Sequence, residues 1–456
     1  MKDEKYVVGL DIGSTKVCAV AGRLIRDNNY TRLDVLGVGR ASCDGVVKGT
    51  VKNVKRTAEA VRKAIDEVAG QANLNINVVN VAFSGSHISS RKQHGSITRT
   101  SHGDEVTVAD VDHLVADMYR TVTPVGNEIV HVLPMDFTVD NETGIDDPVG
   151  RSGVKLEADF QVIMAQTALA RSTRKSISDI NLSGELMLIS PLASAMAVLT
   201  DEERQAGVVL VDIGGGTTDI AIYHRNVLRH IAVLPFAGNT ITSDIEQGCK
   251  VMNQQAEQLK VKFGSADPND FTLKEIVSVP VLSGRPPKDV LLKNLALIIE
   301  ARVKEIAAMV QAEVRRSGFE DKLYGGVVLT GGTAAIPGIE TLFERITGMH
   351  TRVGLPDLLE RNPKADLVSE PSYATAVGLV WAGFKSLDER VPVSRAAAAE
   401  PAPPVAPPVV SRSAPTVKAE APAQTASRES FWEKLKKYGR TILTDDVNLN
   451  DKYSGE

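Results

Sequence analysis

The chain has 456 residues, too many for a single hydrophobic core, so two or more domains are expected. Its 43% hydrophobic and 24% charged content is ordinary for a globular protein, and a net charge of -5 argues against a broad nucleic-acid-binding face. Three scattered cysteines, Cys18, Cys43 and Cys249, exclude a disulfide framework and fit a reducing, cytosolic compartment.

No histidine stands in HExxH or at zinc spacing from a cysteine. The N-terminus enters an apolar strand at Tyr6 without the features of a signal peptide, and no apolar run approaches the ~20 residues that span a bilayer. A membrane, if met, would be met from its surface.

Residues 6–387 alternate short apolar runs with amphipathic stretches, which predicts an α/β protein with mixed sheets. Strands are expected at Val7–Leu10, Val78–Val81, Val208–Val211 and Val327–Leu329. Helical periodicity covers Val54–Val68, Asn253–Phe263 and Lys288–Arg316. One pattern occurs twice. Val7-Val8-Gly9-Leu10-Asp11-Ile12-Gly13-Ser14-Thr15 resembles Val208-Val209-Leu210-Val211-Asp212-Ile213-Gly214-Gly215-Gly216-Thr217. Each is an apolar strand, an aspartate, a turn of small residues and a second apolar stretch. The pattern predicts two β-hairpins in two related domains that face one ligand.

A phosphate chain needs several backbone N–H groups that converge without intervening side chains, and turns of Gly, Ser and Thr provide them. Gly13, Ser14 and Thr15 form one candidate turn, and Gly214, Gly215, Gly216 and Thr217 the other. Lys16 is placed to neutralise phosphate charge. Asp11 and Asp212 can hold a hydrated Mg²⁺, which keeps most of its waters and needs few carboxylates. A third glycine element, Leu329-Thr330-Gly331-Gly332-Thr333, leads from a strand toward a helix and suits the approach of a flat base. Glu257 and Lys260, one helical turn apart, could reach the ribose and the base. Any one of these turns could be ordinary; the three in order are specific, and GxxxxGK[ST] and an early GxGxxG are absent.

The three elements resemble the two phosphate motifs and the adenosine motif of the actin, heat-shock chaperone and sugar kinase superfamily. Ile189–Leu199 and Pro371–Leu379 resemble its two connecting helices, although the small residues Ala193-Ser194-Ala195 and Ala374-Thr375-Ala376 also suit plain helix packing. Two further stretches, Phe83-Ser84-Gly85-Ser86-His87-Ile88 and Thr143 through Ala158, resemble the inserted subdomain of the FtsA family of bacterial cell-division proteins; Arg151-Ser152 departs from the Met-containing form expected there.

The resemblance implies an actin-like (ribonuclease H-like) two-domain fold with an FtsA-type inserted subdomain. The expected division is 1–83 with 166–205 as the first domain and 84–165 as the insertion. The second domain takes 206–245 with 326–387, and 246–325 forms a second small subdomain. ATP and Mg²⁺ are the implied cofactors. Self-assembly, the C-terminal tail of the tubulin-like protein FtsZ and later division proteins are the implied partners, at the cytoplasmic face of the membrane at the septum. Arg302 matches a basic position of the family's FtsZ-tail pocket and could grip a carboxylate. Relatives often carry a water-orienting carboxylate before the Pro-Leu-Ala of the first connecting helix. Ser190 stands there instead, so turnover is expected to be slow, with Asp11, Asp212 and Asp219 as candidates for weak catalysis. The rivals are a soluble sugar or metabolite kinase, a chaperone ATPase, which would need a substrate domain for which ~70 residues are too few, and another actin-like bacterial scaffold.

Beyond the body, residues 388–429 hold eight prolines and eleven alanines and are expected to form a flexible linker with an end-to-end distance of roughly 35 Å. Ser430 and Glu433 form a capping box that opens a helix over 430–443. Phe431, Trp432, Leu435, Tyr438, Ile442 and Leu443 share one face, while Lys434, Lys436, Lys437 and Arg440 occupy the other. With Glu433, four basic residues and one acid give a charge of +3. Such a helix is expected to lie in an anionic membrane surface, each basic residue adding ~1 kcal/mol. Residues 444–456 carry a charge of -3 and are expected to be a solvated acidic end.

Overall fold

The computed structural model describes residues 5–27, 30–99, 105–280 and 286–388. The residues of the expected linker beyond 388, the amphipathic helix and the acidic end lie outside the described residues.

The chain opens with three antiparallel strands, β1 (Val7–Ile12), β2 (Lys16–Asp27) and β3 (Tyr30–Ser42). A two-residue hairpin, β4 (Val46–Val47) and β5 (Thr50–Val51), leads to helix α1 (Val54–Ala72) and strand β6 (Val78–Phe83). Asn53 starts α1 by accepting the Arg56 N–H, and Asn73 ends it in the left-handed region. The inserted segment follows as β7 (Ser89–Thr98), α2 (Val108–Tyr119), β8 (Asn127–Val139), β9 (Glu142–Ile145) and β10 (Lys155–Gln166). The chain then returns through α3 (Thr167–Ser178), β11 (Ser183–Ile189), α4 (Ser190–Val198) and α5 (Asp201–Ala206).

The second half repeats the plan with β12 (Val208–Ile213), β13 (Thr218–His224) and β14 (Val227–Leu234). Its own insertion comprises α6 (Gly238–Cys249), α7 (Asn253–Phe263), β15 (Ile276–Val279), β16 (Lys288–Leu291) and α8 (Leu292–Ser317). Strand β17 (Val327–Thr330), α9 (Ile339–Thr347), β18 (Thr351–Val353), α10 (Pro363–Val368) and α11 (Ala374–Asp388) complete it.

The duplication is explicit in the sheets. The first has the order β11-β6-β1-β2-β3 and the second β18-β17-β12-β13-β14, so each strand has a counterpart. In both, the first strand pairs antiparallel with the second and parallel with a strand reached through helices. β12 is buried at all six positions, which is why it reads as a continuous apolar run, broken only by Asp212, rather than an alternating one. The inserted segment forms its own sheet, β7-β10-β8-β9, with α2 over one face and Phe160 and Leu156 fully buried beneath it. Burying each such side chain contributes roughly 1.5–3 kcal/mol.

Two helices tie the halves together. α4 leaves the first sheet and α11 leaves the second, and they pack so closely that a Cβ on Gly378 would lie 1.8 Å from the Ala193 carbonyl oxygen. The small residues of these segments are there for close approach, as the packing reading expected.

One expected boundary is corrected. The helix read from Lys288 begins at Leu292, and residues Lys288–Leu291 are a strand. Pro286 and Pro287 keep the preceding backbone extended. That lets Lys288 pair with Val279 and Val290 with Val277, and the Asp289 carboxylate accepts the Ser278 hydroxyl at 2.6 Å. Likewise the second connecting segment opens with one 3₁₀ turn, Pro371–Tyr373, before α11.

Candidate functional site

β1 and β12 hold equivalent places in their sheets, and each turns sharply into its antiparallel neighbour. Gly13 N–H donates to the Lys16 carbonyl and Gly214 N–H to the Thr217 carbonyl, both at 3.0 Å, so the two turns close with the same bond. The tips touch: a Cβ on Gly215 would sit 2.5 Å from Thr15 Cγ2, and one on Gly216 2.4 Å from Ser14 Oγ. The amides of Ser14, Thr15, Gly215 and Gly216 make no hydrogen bond among the described residues. Clustered, unpaired N–H groups on two facing turns form an anion cradle. Ser14 Oγ also accepts the Gly49 N–H at 2.8 Å, so the β4–β5 turn leans on the first tip.

Three aspartates lie directly behind the tips. In the hairpin registers Asp11 stands opposite Cys18, and Asp212 opposite Asp219. Asp212 Oδ2 accepts Ser194 Oγ at 2.6 Å and Thr375 Oγ1 at 3.3 Å, one hydroxyl from each connecting helix. Asp219 accepts Ser84 Oγ at 2.5 Å and Thr217 Oγ1 at 3.4 Å. Burial, followed by repulsion from Asp212, pushes the Asp219 carboxyl up to about 8 despite its hydroxyl donors. Burial and the Asp212 charge push Asp11 to about 7, with Lys16 opposing. Asp212 is also raised by burial, against the hydroxyls of Ser194 and Thr375 and the charge of Lys16. Three carboxyls that resist ionising together are a site short of positive charge, which a hydrated divalent cation supplies. Among the described residues no group of three or more ligands stands ready to cage a metal directly. Asp11 and Asp212 beside the amide cradle are oxygen donors of the kind a hydrated Mg²⁺ takes.

Lys16 reaches the 3₁₀ turn that precedes α11: its Nζ donates to the Ser372 carbonyl at 2.7 Å and lies 4.7 Å from the centre of the Tyr373 ring. The third glycine element adjoins the second hairpin. Thr333 Oγ1 donates to the Gly214 carbonyl at 2.9 Å. Gly331 adopts φ +85° with no room for a Cβ, which would fall 2.4 Å from Asp212 Oδ1. Glycine is required there for both backbone conformation and space. Gly332 stays clear of backbone contacts, with only Ser372 Cβ near, at 3.8 Å.

Glu257 and Lys260 on α7 meet each other at 2.7 Å, and Lys260 Nζ also donates to Thr242 Oγ1 at 2.9 Å and to the Gly238 carbonyl at 3.1 Å. Gly238 N–H in turn donates to the Gly214 carbonyl at 3.1 Å. The structure thus brings Glu257, Lys260, Thr333 and the second hairpin into one bonded cluster.

Arg302 lies elsewhere, on α8. Its fork engages Asp244 of α6 at 2.6 and 3.0 Å, and it also bonds Glu305. Ser190, the first residue of α4, is buried. The expected membrane residues Phe431 to Leu443 lie outside the described residues.

The sequence reading passed over Ser84, Ser194, Thr375, Gly238 and Thr242 as site residues. A signal existed for three of them: Ser84 follows the buried end of an apolar strand, and Ser194 and Thr375 are the hydroxyls inside the two small-residue runs. Their partners could not be read, because Ser84 and Asp219 are 135 positions apart and Thr375 and Asp212 163.

Comparison with known proteins agrees with this architecture. A family model described as cell division protein FtsA matches residues 209–378, and one described as the SHS2 domain inserted in FTSA matches residues 85–164. The chain is 36% identical over 390 residues to cell division protein FtsA of Pseudomonas aeruginosa, spanning 86% of this chain and 92% of that one. It is 36% identical over 391 residues to the Escherichia coli K12 protein, with 84% and 91% covered. The Neisseria meningitidis protein is 34% identical over 385 residues, with 84% and 91% covered. Among solved structures, a PilM–PilN type IV pilus biogenesis complex gives a TM-score of 0.59 at 15% identity, over 83% of this chain and 99% of that one. That likeness speaks for the fold alone, which is the actin-like one with an inserted subdomain of the SHS2 type.

Proposed function

The chain belongs to the FtsA family of cell division proteins, and from that premise we propose that it is an ATP-dependent scaffold that assembles on the inner membrane face and tethers the FtsZ ring there. The observation that carries the nucleotide reading is the pair of touching hairpin tips with unpaired amides, backed by the buried Asp212 and Asp219 and the half-buried Asp11. Phosphates would take the amides of Ser14, Thr15, Gly215 and Gly216. Mg²⁺ would let Asp11 and Asp212 ionise. Adenosine would lie against Gly331, Gly332 and Thr333, with Glu257 and Lys260 at the ribose. The bound metal supplies neutralisation of the phosphate charge. Ser190 offers no general base, which supports slow turnover and a role for nucleotide state in assembly.

The remaining parts of the proposal rest on sequence. The helix expected at 430–443 anchors the protein to anionic lipid, and many such weak anchors on one polymer add by avidity. No helix among the described residues is long and apolar enough to cross a membrane. Arg302 is the candidate contact for the FtsZ tail, where an incoming carboxylate has to compete with Asp244.

The test is co-sedimentation with anionic liposomes in Mg-ATP, comparing the full chain with a truncation after Leu387. The full chain is expected to pellet and the truncation to stay in the supernatant. If neither pellets, the tail is no membrane anchor and the tethering reading falls.

A further inference from the structure

A groove of about 800 Å³ opens where the first domain, the inserted subdomain and the second domain meet. Leu24, Leu133, Leu192, Met196 and Trp381 supply its apolar walls, and all five are half-buried rather than sealed. The lining includes Arg26, Arg204 and Lys385 and no carboxylate, although Arg204 also pairs with Asp201 at 3.0 Å beside the groove. Its size is that of a drug-sized ligand site, room for a few side chains of a docked segment. Trp381, Phe384 and Lys385 belong to the last turns of α11, so the chain leaves the described body at the wall of this groove.

The chemistry of the last thirteen residues complements it. Residues 444–456 read Thr-Asp-Asp-Val-Asn-Leu-Asn-Asp-Lys-Tyr-Ser-Gly-Glu. At a spacing of two, Asp445, Val447, Leu449, Asp451 and Tyr453 fall on one side, an apolar centre with a carboxylate at either flank. The amphipathic stretch 430–443 is the poorer match, because its four basic residues would meet three more cations.

We propose that the acidic C-terminal segment, residues 444–456, docks in this groove of its own chain. The 55 residues from 389 to 443, taken as a coil, reach roughly 40 Å, and they start beside the groove. A tether of that reach keeps the segment at an effective concentration in the millimolar range. Docking with a Kd below about 1 mM is then enough to hold it in place at least half of the time. The docked end draws the 430–443 helix back toward the body and competes with its use at a lipid surface. That consequence rests on the membrane reading above; the docking itself does not.

Trp381 in the groove and Trp432 in the tail are the two tryptophans of the chain, so Trp432→Phe leaves a single reporter in the groove wall. Acrylamide quenching of Trp381 is compared, without lipid, in the full chain and in chains ending at Leu443 and at Leu387. Ending at Leu443 is expected to raise the quenching constant about two-fold, as the loss of a segment docked half of the time or more requires. A synthetic peptide of residues 444–456 is expected to restore protection. The Asp445→Lys, Asp451→Lys double variant alters only the tail, leaves the body's folding untouched, and is expected to lose protection as the truncation does. Equal quenching in the full chain and the Leu443 truncation overturns the proposal. So does protection lost only on truncation at Leu387, which makes the amphipathic stretch the occupant, or protection that grows with protein concentration, which makes it a second copy. With docking seen, liposome binding that rises on removing 444–456 supports the competition; no liposome binding by any form would defeat the membrane reading and leave the docking intact.

Discussion

Replacing Asp219 by Asn probes the cost of burying its carboxyl beside Asp212. The carboxyl rises from 3.8 to about 8 through burial and the neighbouring Asp212 charge. Its folded pKa lies above its unfolded one. The nucleotide-free protein therefore binds this proton more tightly than the unfolded chain does, and stability falls as pH climbs from about 4 through about 8. A shift of that size is a ceiling of roughly 5–6 kcal/mol at 1.36 kcal/mol per unit. Water reaching the mouth of the cleft and local relaxation reduce it, so a gain of about 1–3 kcal/mol is expected from the neutral amide at pH 8. Asn retains an oxygen for the Ser84 hydroxyl, and its amino group can donate to Thr217 Oγ1, so no buried polar atom is orphaned. The assay is the urea midpoint of wild type and Asp219→Asn at pH 5 and pH 8, without nucleotide or Mg²⁺. Wild type has lost only a little of this stability at pH 5, just above the unfolded carboxyl's 3.8, so the variant is expected to exceed it slightly there and clearly more at pH 8. An equal difference at the two pH values, or a loss of stability at pH 8, would refute the buried-charge argument.

Three other substitutions probe the remaining links. Gly378→Ala drives a methyl into the Ala193 carbonyl and is expected to cost about 1–3 kcal/mol of stability, read as a lower thermal midpoint. Ser194→Ala removes the shorter of the two hydroxyl donors to Asp212. A hydrogen bond to a charged group is worth roughly 1.5–3 kcal/mol, so Mg²⁺-dependent ATP affinity in titration calorimetry should fall about ten-fold or more. Arg302→Glu sets a third carboxylate beside Asp244 and Glu305 and should abolish binding of an FtsZ-tail peptide in fluorescence anisotropy; unchanged affinity would remove Arg302 from that site.

Much of the candidate site was legible before any coordinates. A strand that is apolar on both faces, an aspartate one residue before its end and a run of small residues are all local features. Each is fixed by backbone sterics and burial within a dozen positions. The duplication was visible for the same reason, since Asp11 and Asp212 sit in matching strings, and the sheets repeat strand for strand. The start of α8 was misread because Lys288–Leu291 carries no local signal against a helix beyond the preceding prolines. Its strand state depends on pairing with Ile276–Val279.

By itself the sequence determined the two hairpins, their small-residue tips, the aspartates behind them and the chemistry of the tail, all of which follow from neighbours along the chain. The tertiary structure decided what those groups meet. It set Ser84 on Asp219, Ser194 and Thr375 together on Asp212, Lys16 on the 3₁₀ turn before α11 and Asp244 across the Arg302 fork. These contacts join positions that are tens to hundreds of residues apart. Which distant side chains share a buried site depends on how whole sheets and helices pack, and the local pattern carries no record of that choice.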